Sequence, residues 1–347
     1  MSDKLINKED LPAALKNLKK ENEVLVPVKE NGFYGFKPLA DEKTLDLHFS
    51  NTRLSPKSLL LPQSEKIFEF TINEKEEDAN ILKEVSKEYP PTVIVGIRPC
   101  DAKAWRLVNV NFDTPEFKDP WWIKRLKSMV FIGLGCNEPC HTCFCTSVNC
   151  GPFNQDGLDV LIYDLGEKFL LRTFTDNGEQ ILKRAGINGD ADNDILKEAD
   201  RLKIKAEKKI TSNVPTENLA KKKINELFNA PFWDDLAFAC INCGTCTFLC
   251  PTCWCFDIQD EVFKKQGDRI RNWDSCMFPL FTHHASGHNP RTDKVQRIRQ
   301  RFMHKLKYYI DKYNNGVACV GCGRCINYCP VNIDIREAFK LMNDQAE

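Results

Sequence analysis

The sequence lacks three features that mark large classes of proteins. It has no excess charge of either sign, because its 49 lysines and arginines equal its 49 aspartates and glutamates. This balance argues against the basic surface that nucleic acids require. Its longest apolar run, MVFIGLG at residues 129–135, is too short to cross a membrane, and its first residues, MSDKLINKEDLP, contain no apolar core of a signal peptide. We therefore expect a cytoplasmic protein that neither binds nucleic acid nor inserts into a membrane.

Motifs for small-molecule chemistry are also missing. The chain contains no G-x-G-x-x-G or Walker loop for nucleotide phosphates. No Ser/His/Asp triad or pair of catalytic carboxylates can be placed, so no catalytic residue is assigned. The length of 347 residues leaves room for two domains that each bury a core of their own.

Cysteine, by contrast, is abundant, with 17 in the chain. Two runs, residues 240–251 and 319–330, share the spacing C-x2-C-x2-C-x3-C followed by Pro. Bacterial ferredoxins hold [4Fe–4S] clusters with this pattern, and in two-cluster ferredoxins the fourth Cys of each run ligates the cluster of the other run. Structural zinc, which takes paired C-x2-C knuckles, and disulfides are the weaker alternatives.

The predicted ligand sets therefore cross over between the two runs. We expect one [4Fe–4S] cluster on Cys240, Cys243, Cys246 and Cys329. We expect the second on Cys319, Cys322, Cys325 and Cys250. Gly244 and Gly323 are predicted to let the backbone approach the cluster sulfides. Such clusters carry electrons, and so many reduced thiols are typical of a cytoplasm, in particular that of an anaerobe.

The apolar patterning predicts an N-terminal domain of the α+β or α/β class with a mixed sheet, over residues 1–176. Its predicted strands are residues 23–28, 66–72, 92–97, 129–135, 158–164 and 168–174. Its predicted helices are residues 9–21, 77–88, 101–107 and 119–128. The pair Asn31-Gly32 predicts a hairpin turn, and Asp101 is a candidate helix N-cap.

The rest of the chain is predicted to be helical. Residues 177–230 are polar and charged, which predicts a solvated helical connector. Residues 231–347 are predicted to form an α-helical ferredoxin-like domain that carries both clusters, rather than the small β-containing kind. Within it, residues 291–314 predict one long helix whose apolar stripe is expected to pack in the core: Val295, Ile298, Phe302, Leu306 and Ile310.

A second cysteine-rich segment, CNEPCHTCFCTSVNC, spans residues 136–150. Cys100 and Cys136 each follow a predicted parallel strand, and open α/β sheets build their sites at the carboxyl ends of such strands. We therefore hypothesise a third iron–sulfur cluster on Cys100, Cys136, Cys143 and Cys145, with Cys140 and Cys150 as alternates. A structural zinc site or a loop of free thiols stays open as the alternative.

Three further thiols follow the first run: Cys253, Cys255 and Cys276. The string Thr-Cys-aromatic-Cys occurs at both 142–145 and 252–255, a weak sign of related roles. These thiols either pack around the neighbouring cluster and donate S–H hydrogen bonds, which we favour, or join a further cluster. The three histidines of residues 283–288 are interpreted as a hydrogen-bonding loop rather than as iron ligands.

Seven segments carry a resemblance to a known family: NTRLSPKSLLLPQSE (51–65), GIRPCDAKA (96–104), TCFCTSVNCGP (142–152), CPTCWCFDI (250–258), WDSC (273–276), SGHNPR (286–291) and VGCGRCINYCP (320–330). Together they resemble the beta-subunit family of cytosolic sulfhydrogenases, which are NiFe hydrogenases; that family is similar to one of the subunits of anaerobic sulfite reductase. The eight ferredoxin-type cysteines carry over position by position, whereas Cys140 and Cys150 are additional to the family pattern.

The resemblance implies an electron-transfer subunit of a multi-subunit complex. Such subunits work beside a diaphorase subunit that binds FAD and NAD(P), and pass electrons to a catalytic hydrogenase, sulfite reductase or heterodisulfide-reductase-like subunit. Two other functions stay open. The chain could reduce a disulfide, persulfide or sulfur itself at a site-differentiated cluster near residues 136–150, or its clusters could be purely structural.

Overall fold

The structure, a computed structural model, describes residues 2–40 and 46–345; the outermost bounds of the predicted domains, residues 1 and 347, lie outside these ranges. Its strands are β1 (Asp3–Asn7), β2 (Glu23–Glu30), β3 (Phe33–Pro38), β4 (Ser64–Thr71), β5 (Lys83–Glu84), β6 (Thr92–Ile97), β7 (Met129–Leu134), β8 (Val160–Asp164), β9 (Lys168–Thr173), β10 (Gly189–Asp190), β11 (Phe256–Phe263) and β12 (Gln266–Trp273). Its α-helices are α1 (Leu11–Leu18), α2 (Pro99–Asn109), α3 (Pro120–Lys127), α4 (Asp176–Ala185), α5 (Asn193–Lys208), α6 (Ile224–Phe228), α7 (Phe232–Ala237), α8 (Thr245–Phe248), α9 (Lys294–Met303), α10 (Tyr309–Tyr313), α11 (Arg324–Asn327) and α12 (Ile335–Asp344).

The N-terminal region is built on a mixed sheet, as predicted. The strand order is β10-β1-β9-β8-β7-β6-β2-β3 within the described residues. The central strands β2, β6, β7 and β8 are parallel, and the outer strands pair antiparallel. Strands β2 and β3 form the hairpin predicted from Asn31-Gly32, where both residues have a left-handed backbone, with φ of 49° and 81°. The prediction missed strands β1 and β10.

Helices cover both faces of this sheet. Helices α1 and α4 pack on one face, against alternate residues of the strands such as Val93, Val95 and Ile132. Helices α2, α3 and α5 pack on the other, where Ile94 and Phe131 point. The finding for α4 and α5 differs from the solvated connector predicted for residues 177–230, because their apolar stripes are buried against the sheet. The division of the chain at residues 176 and 230 stays a prediction.

A second sheet joins the two halves of the chain. Its order is β11-β12-β4-β5, so β4 of the N-terminal half pairs antiparallel with β12 of the C-terminal half. The prediction of β4 beside the N-terminal sheet was therefore wrong. The prediction of a helix at residues 77–88 was also wrong, since that segment contains only the short strand β5, which pairs with the edge of β4.

Buried ion pairs hold the second sheet to the first region. The Glu65 carboxylate of β4 accepts hydrogen bonds from Lys87 at 2.7 Å, from Arg125 of α3 at 2.6 Å and from Arg271 of β12 at 2.7 Å. Burial by itself raises the pKa of Glu65, but these three cations outweigh it and hold that pKa at about 2. Glu65 is thus a charged junction between elements that are distant in sequence.

The C-terminal region is only partly helical. The long helix predicted over residues 291–314 is confirmed as α9, a π-helical turn at His304–Tyr308 and α10. Its stripe residues Ile298, Phe302, Leu306 and Ile310 lie in the core with α7 and α12. The hairpin β11–β12 was not predicted, so the segment between the cysteine runs is not purely helical.

Helix α2 links the sheet to the cysteine runs. Ala104 and Leu107 of α2 share a small apolar core with Tyr309, Ala318 and Val320. The Tyr309 hydroxyl donates a hydrogen bond to the Leu107 carbonyl at 2.7 Å. This contact brings the end of β6, where Cys100 lies, next to the second cysteine run.

Candidate iron–sulfur centres

The two ferredoxin-type runs share one backbone conformation. Asn242 and Gly321, each two residues after the first Cys of its run, have φ of 55° and 62°. Gly244 and Gly323, which begin α8 and α11, have φ of 75° and 73°. Left-handed residues at the same two positions make the runs structural repeats, and α8 packs against α11. The repeat read from the cysteine spacing therefore extends to the backbone.

The second run packs closely on the cysteine-rich loop of residues 136–150. A Cβ at Gly321 would lie 2.5 Å from Cα of Cys145, and a Cβ at Gly323 would lie 2.2 Å from Oγ1 of Thr142. The Phe144 N–H donates a hydrogen bond to the Gly321 carbonyl at 2.9 Å. The sequence predicts that Gly323 makes room for cluster sulfides, and the structure shows that it makes room for the neighbouring loop.

The first predicted ligand set surrounds one cavity, here called the Cys240 cavity. Its lining includes Cys240, Cys243, Cys246 and Cys329, together with Cys325 of the second set and Arg301. Cys243 is the exposed member of the four. Backbone N–H groups already donate to two of these sulfurs, from Ile333 to Cys329 at 3.1 Å and from Asn242 to Cys240 at 3.4 Å. Four thiols with N–H···S bonds are a donor set that could hold a cubane cluster.

The second predicted ligand set is also brought together. Burial raises the pKa of Cys322 to about 11, and negative charge on Cys250 raises it further, while Arg324 opposes both effects. Cys250 likewise contributes to the raised pKa of Cys319 and Cys325 after burial, the largest cause. Because one thiol of the first run influences three of the second, the fold places Cys250 beside the other run, as the crossover requires.

The third predicted set lines another cavity, here called the Cys100 cavity. Its thiols are Cys100, Cys136, Cys140, Cys143, Cys145 and Cys322. Cys100 and Cys136 follow β6 and β7, which are neighbouring parallel strands, so their meeting follows from sheet topology. The alternate Cys140 lines this cavity and the alternate Cys150 does not. Cys322 connects the cavity to the second set, and the Cys143 thiol lies 3.8 Å from the Cys322 carbonyl.

Asp101 has a different role from the one predicted. Helix α2 begins at Pro99, after Arg98, so Asp101 lies in its first turn and is not its N-cap. Its carboxylate accepts two hydrogen bonds at 2.7 Å from Arg324, between Cys322 and Cys325. Each side chain of the pair is 1% exposed. This ion pair fixes the second run against the start of α2.

The remaining thiols lie beside the second ligand set. Cys253 contacts Cys250, and Cys255 contacts Cys276. The Lys57 ammonium is buried near them and donates to the Cys253 and Thr247 carbonyls, both at 3.0 Å. These contacts fit packing around a cluster, and the choice between that role and a further cluster stays open. The histidine loop at residues 283–288 is exposed, and its residues line neither cavity.

Two buried cations near the thiols were not singled out from the sequence. Lys305 donates hydrogen bonds to the Thr252 hydroxyl at 2.6 Å and to the Ala318 carbonyl at 2.8 Å. Burial lowers the pKa of Arg301, but the facing cysteine thiols raise it more, so the guanidinium stays charged. A sequence signal existed: Arg297, Arg301 and Lys305 recur every four residues, on one helical face beside the apolar stripe.

Two kinds of site do not occur in the described part of the chain. Within residues 2–40 and 46–345, no group of three or more His, Cys, Asp or Glu side chains converges on a point that could hold a single metal ion. No helix in the same ranges has the length and apolarity needed to span a membrane.

Comparison with known proteins identifies the C-terminal part first. Residues 239–333 match the family model of the 4Fe-4S dicluster domain, so this region has the sequence of an iron–sulfur protein with two clusters. Across its whole length the chain is 29% identical, over 345 residues, to sulfhydrogenase 2 subunit beta of Pyrococcus furiosus, covering 99% of this chain and 98% of that protein. The resemblance to sulfhydrogenase beta subunits predicted from the sequence motifs is thereby confirmed. No solved structure matches the chain.

Proposed function

We propose that this chain is the iron–sulfur electron-transfer subunit of a cytoplasmic redox complex. It relays electrons between a diaphorase-type subunit that binds FAD and NAD(P) and a catalytic subunit of the hydrogenase, sulfite reductase or heterodisulfide-reductase-like kind. One observation carries the proposal. The loop of residues 319–325 lies between two other thiol groups and contributes Cys325 to the lining of the Cys240 cavity and Cys322 to that of the Cys100 cavity.

The ligand assignment follows the grouping of the thiols. The first [4Fe–4S] cluster is assigned to Cys240, Cys243, Cys246 and Cys329. The second is assigned to Cys319, Cys322, Cys325 and Cys250. The third is assigned to Cys100, Cys136, Cys143 and Cys145. Bound clusters supply one-electron transfer, and the chain's own residues hold them and exclude water from them.

The arrangement supports a relay because the sets are contiguous. The second set shares a wall with each of the other two, so an electron need not cross a wide span of protein between sets. Cys243 is the exposed thiol of the first set, which makes the Cys240 cavity the natural place for exchange with a partner subunit. The region around Cys100 and the sheet then faces the other end of the path.

Iron and acid-labile sulfide per chain test the assignment on anaerobically purified protein. About twelve irons are expected, four for each cluster, and about eight would remove the third cluster. Cys246→Ser and Cys325→Ser should each lose about one cluster and interrupt electron flow from reduced flavoprotein to an acceptor dye. Full iron retention in both variants would refute the ligand sets.

A redox titration followed by electron paramagnetic resonance tests the relay itself. Clusters that accept electrons at accessible potentials support it, whereas clusters that stay oxidised throughout would make them structural. Turnover of a disulfide or polysulfide by the isolated chain would favour the alternative, an enzyme with its own chemistry at residues 136–150.

A further inference from the structure

Arg301 is a buried guanidinium that the polypeptide leaves without a full set of partners. It lies on α9, is 3% exposed, and lines the Cys240 cavity. Its Nε and Nη2 atoms have no hydrogen-bond acceptor within the described part of the chain, although it stacks near the Phe302 ring at 4.6 Å. Buried N–H donors without acceptors cost stability, so a native protein rarely leaves them unused.

The groups facing Arg301 are thiols rather than carboxylates. Among the described residues it forms no ion pair with Asp or Glu, and the negative charges nearest to it are on Cys246, Cys325, Cys253 and Cys250. The neighbouring cation on the same helix, Lys305, adds positive charge. Since arginine does not deprotonate in proteins, its burial requires an anion, and only the thiolates and what they bind can supply one.

The thiols around Arg301 belong to both ferredoxin-type ligand sets. Cys246 is assigned to the first cluster, and Cys325 and Cys250 are assigned to the second. The unpartnered Nη2 therefore has a cluster-binding cavity before it, and the guanidinium charge lies between two groups that each become more negative when reduced. A fixed positive charge in a low-dielectric site favours the more negative form of every redox group near it.

We propose that Arg301 is a positioning residue that serves as the shared counter-charge of the first and second clusters and raises the reduction potential of both. This inference rests on the ligand sets of the proposed function. Its specific content is that one side chain acts on two clusters in the same direction, which keeps their potentials matched for transfer between them.

The test uses the full-length chain with its clusters and three variants. Arg301→Met removes the charge and keeps an unbranched side chain that fills the space. Arg301→Lys keeps the charge and loses the planar fork of donors. Arg297→Met is the matched control, because Arg297 lies one turn earlier on α9, is also buried with an unpartnered Nε, but donates to the Arg291 carbonyl and does not line the cavity.

Iron and sulfide per chain are measured first, then both midpoint potentials by titration with electron paramagnetic resonance. In Arg301→Met each cluster should become at least tenfold harder to reduce, a fall of about 59 mV or more for a one-electron couple. In Arg301→Lys both falls should be smaller, and in Arg297→Met neither potential should move. Electron flow alone would not distinguish these cases, so the potentials decide.

The contrary outcomes are distinct. Unchanged potentials in an iron-replete Arg301→Met protein, or a fall in one cluster only, would overturn the shared role. If Arg301→Met loses iron, Arg301→Lys decides: retention of both clusters near their original potentials supports the charge, and cluster loss there as well overturns it. Absence of the first two clusters from the unmodified protein would instead refute the proposed function.

Discussion

The buried pair Asp101–Arg324 offers the sharpest test of how the two halves of this chain hold together. Asp101→Asn keeps the shape of the side chain and removes its charge, while Arg324 keeps its own charge and its 2.8 Å bond to the Thr52 carbonyl. Removing one partner of a buried, bidentate ion pair leaves an uncompensated charge and costs about 3–5 kcal/mol. The unfolding equilibrium constant should therefore rise by roughly two to three and a half orders of magnitude.

The assay is denaturant unfolding under anaerobic conditions, followed by tryptophan fluorescence. Asp260→Asn is the matched control, because Asp260 and Arg269 form a bidentate pair of similar length, 2.7 and 2.8 Å, with side chains 40% and 35% exposed. Exposed pairs contribute little, so this variant should unfold almost as the parent does. A loss below about 1 kcal/mol for Asp101→Asn, or equal losses in both variants, would refute the reasoning.

Three further predictions concern the ion-pair junction and the cysteine loops. Because the folded-state pKa of Glu65 is about 2 and its ordinary value is 4.5, Glu65 contributes about 3 kcal/mol above pH 4.5 that is lost as the pH falls towards 2; Glu65→Gln should remove that part of the pH dependence of the denaturant midpoint, and a parallel pH profile would contradict this. Gly321→Ala should destabilise the chain by more than about 1 kcal/mol, because its φ of 62° and its contact with Cys145 leave no room for a Cβ, whereas Gly287→Ala, with φ of 84° in open space, should show the backbone strain alone; equal thermal shifts would disprove the contact. Cys140→Ser should leave iron per chain unchanged, and loss of about four irons would reassign the third cluster.

Local sequence patterns predicted the elements whose signals are short-range. Strands β6 and β7 are continuous apolar runs, and such runs form buried parallel strands in most contexts. The turn at Asn31-Gly32 depends only on two residues that tolerate a left-handed backbone. The stripe on α9 and α10 follows helical spacing. Each of these depends on residues within a few positions of one another.

The misses share a physical cause, which is competition between local preference and distant partners. Residues 77–88 are rich in helix-forming residues, yet Lys83 and Glu84 pair with the edge of β4 because the second sheet provides backbone partners there. Strand β4 itself pairs with β12, about 200 residues later in the chain, and no local pattern reports such a pairing. Helices α4 and α5 look solvated from their composition, yet narrow apolar stripes suffice to bury them.

The sequence by itself determined that this protein has two ferredoxin-type cysteine runs, because cluster ligation imposes a spacing that few other sites share. It also determined the mixed sheet and the strand ends at Cys100 and Cys136. Only the tertiary structure decided how these parts meet. It placed the loop of residues 319–325 between two thiol-lined cavities, paired Asp101 with Arg324, and buried Arg301 among thiols of both runs. Charges and cavities are set by distances in space, and spacing along the chain does not report them.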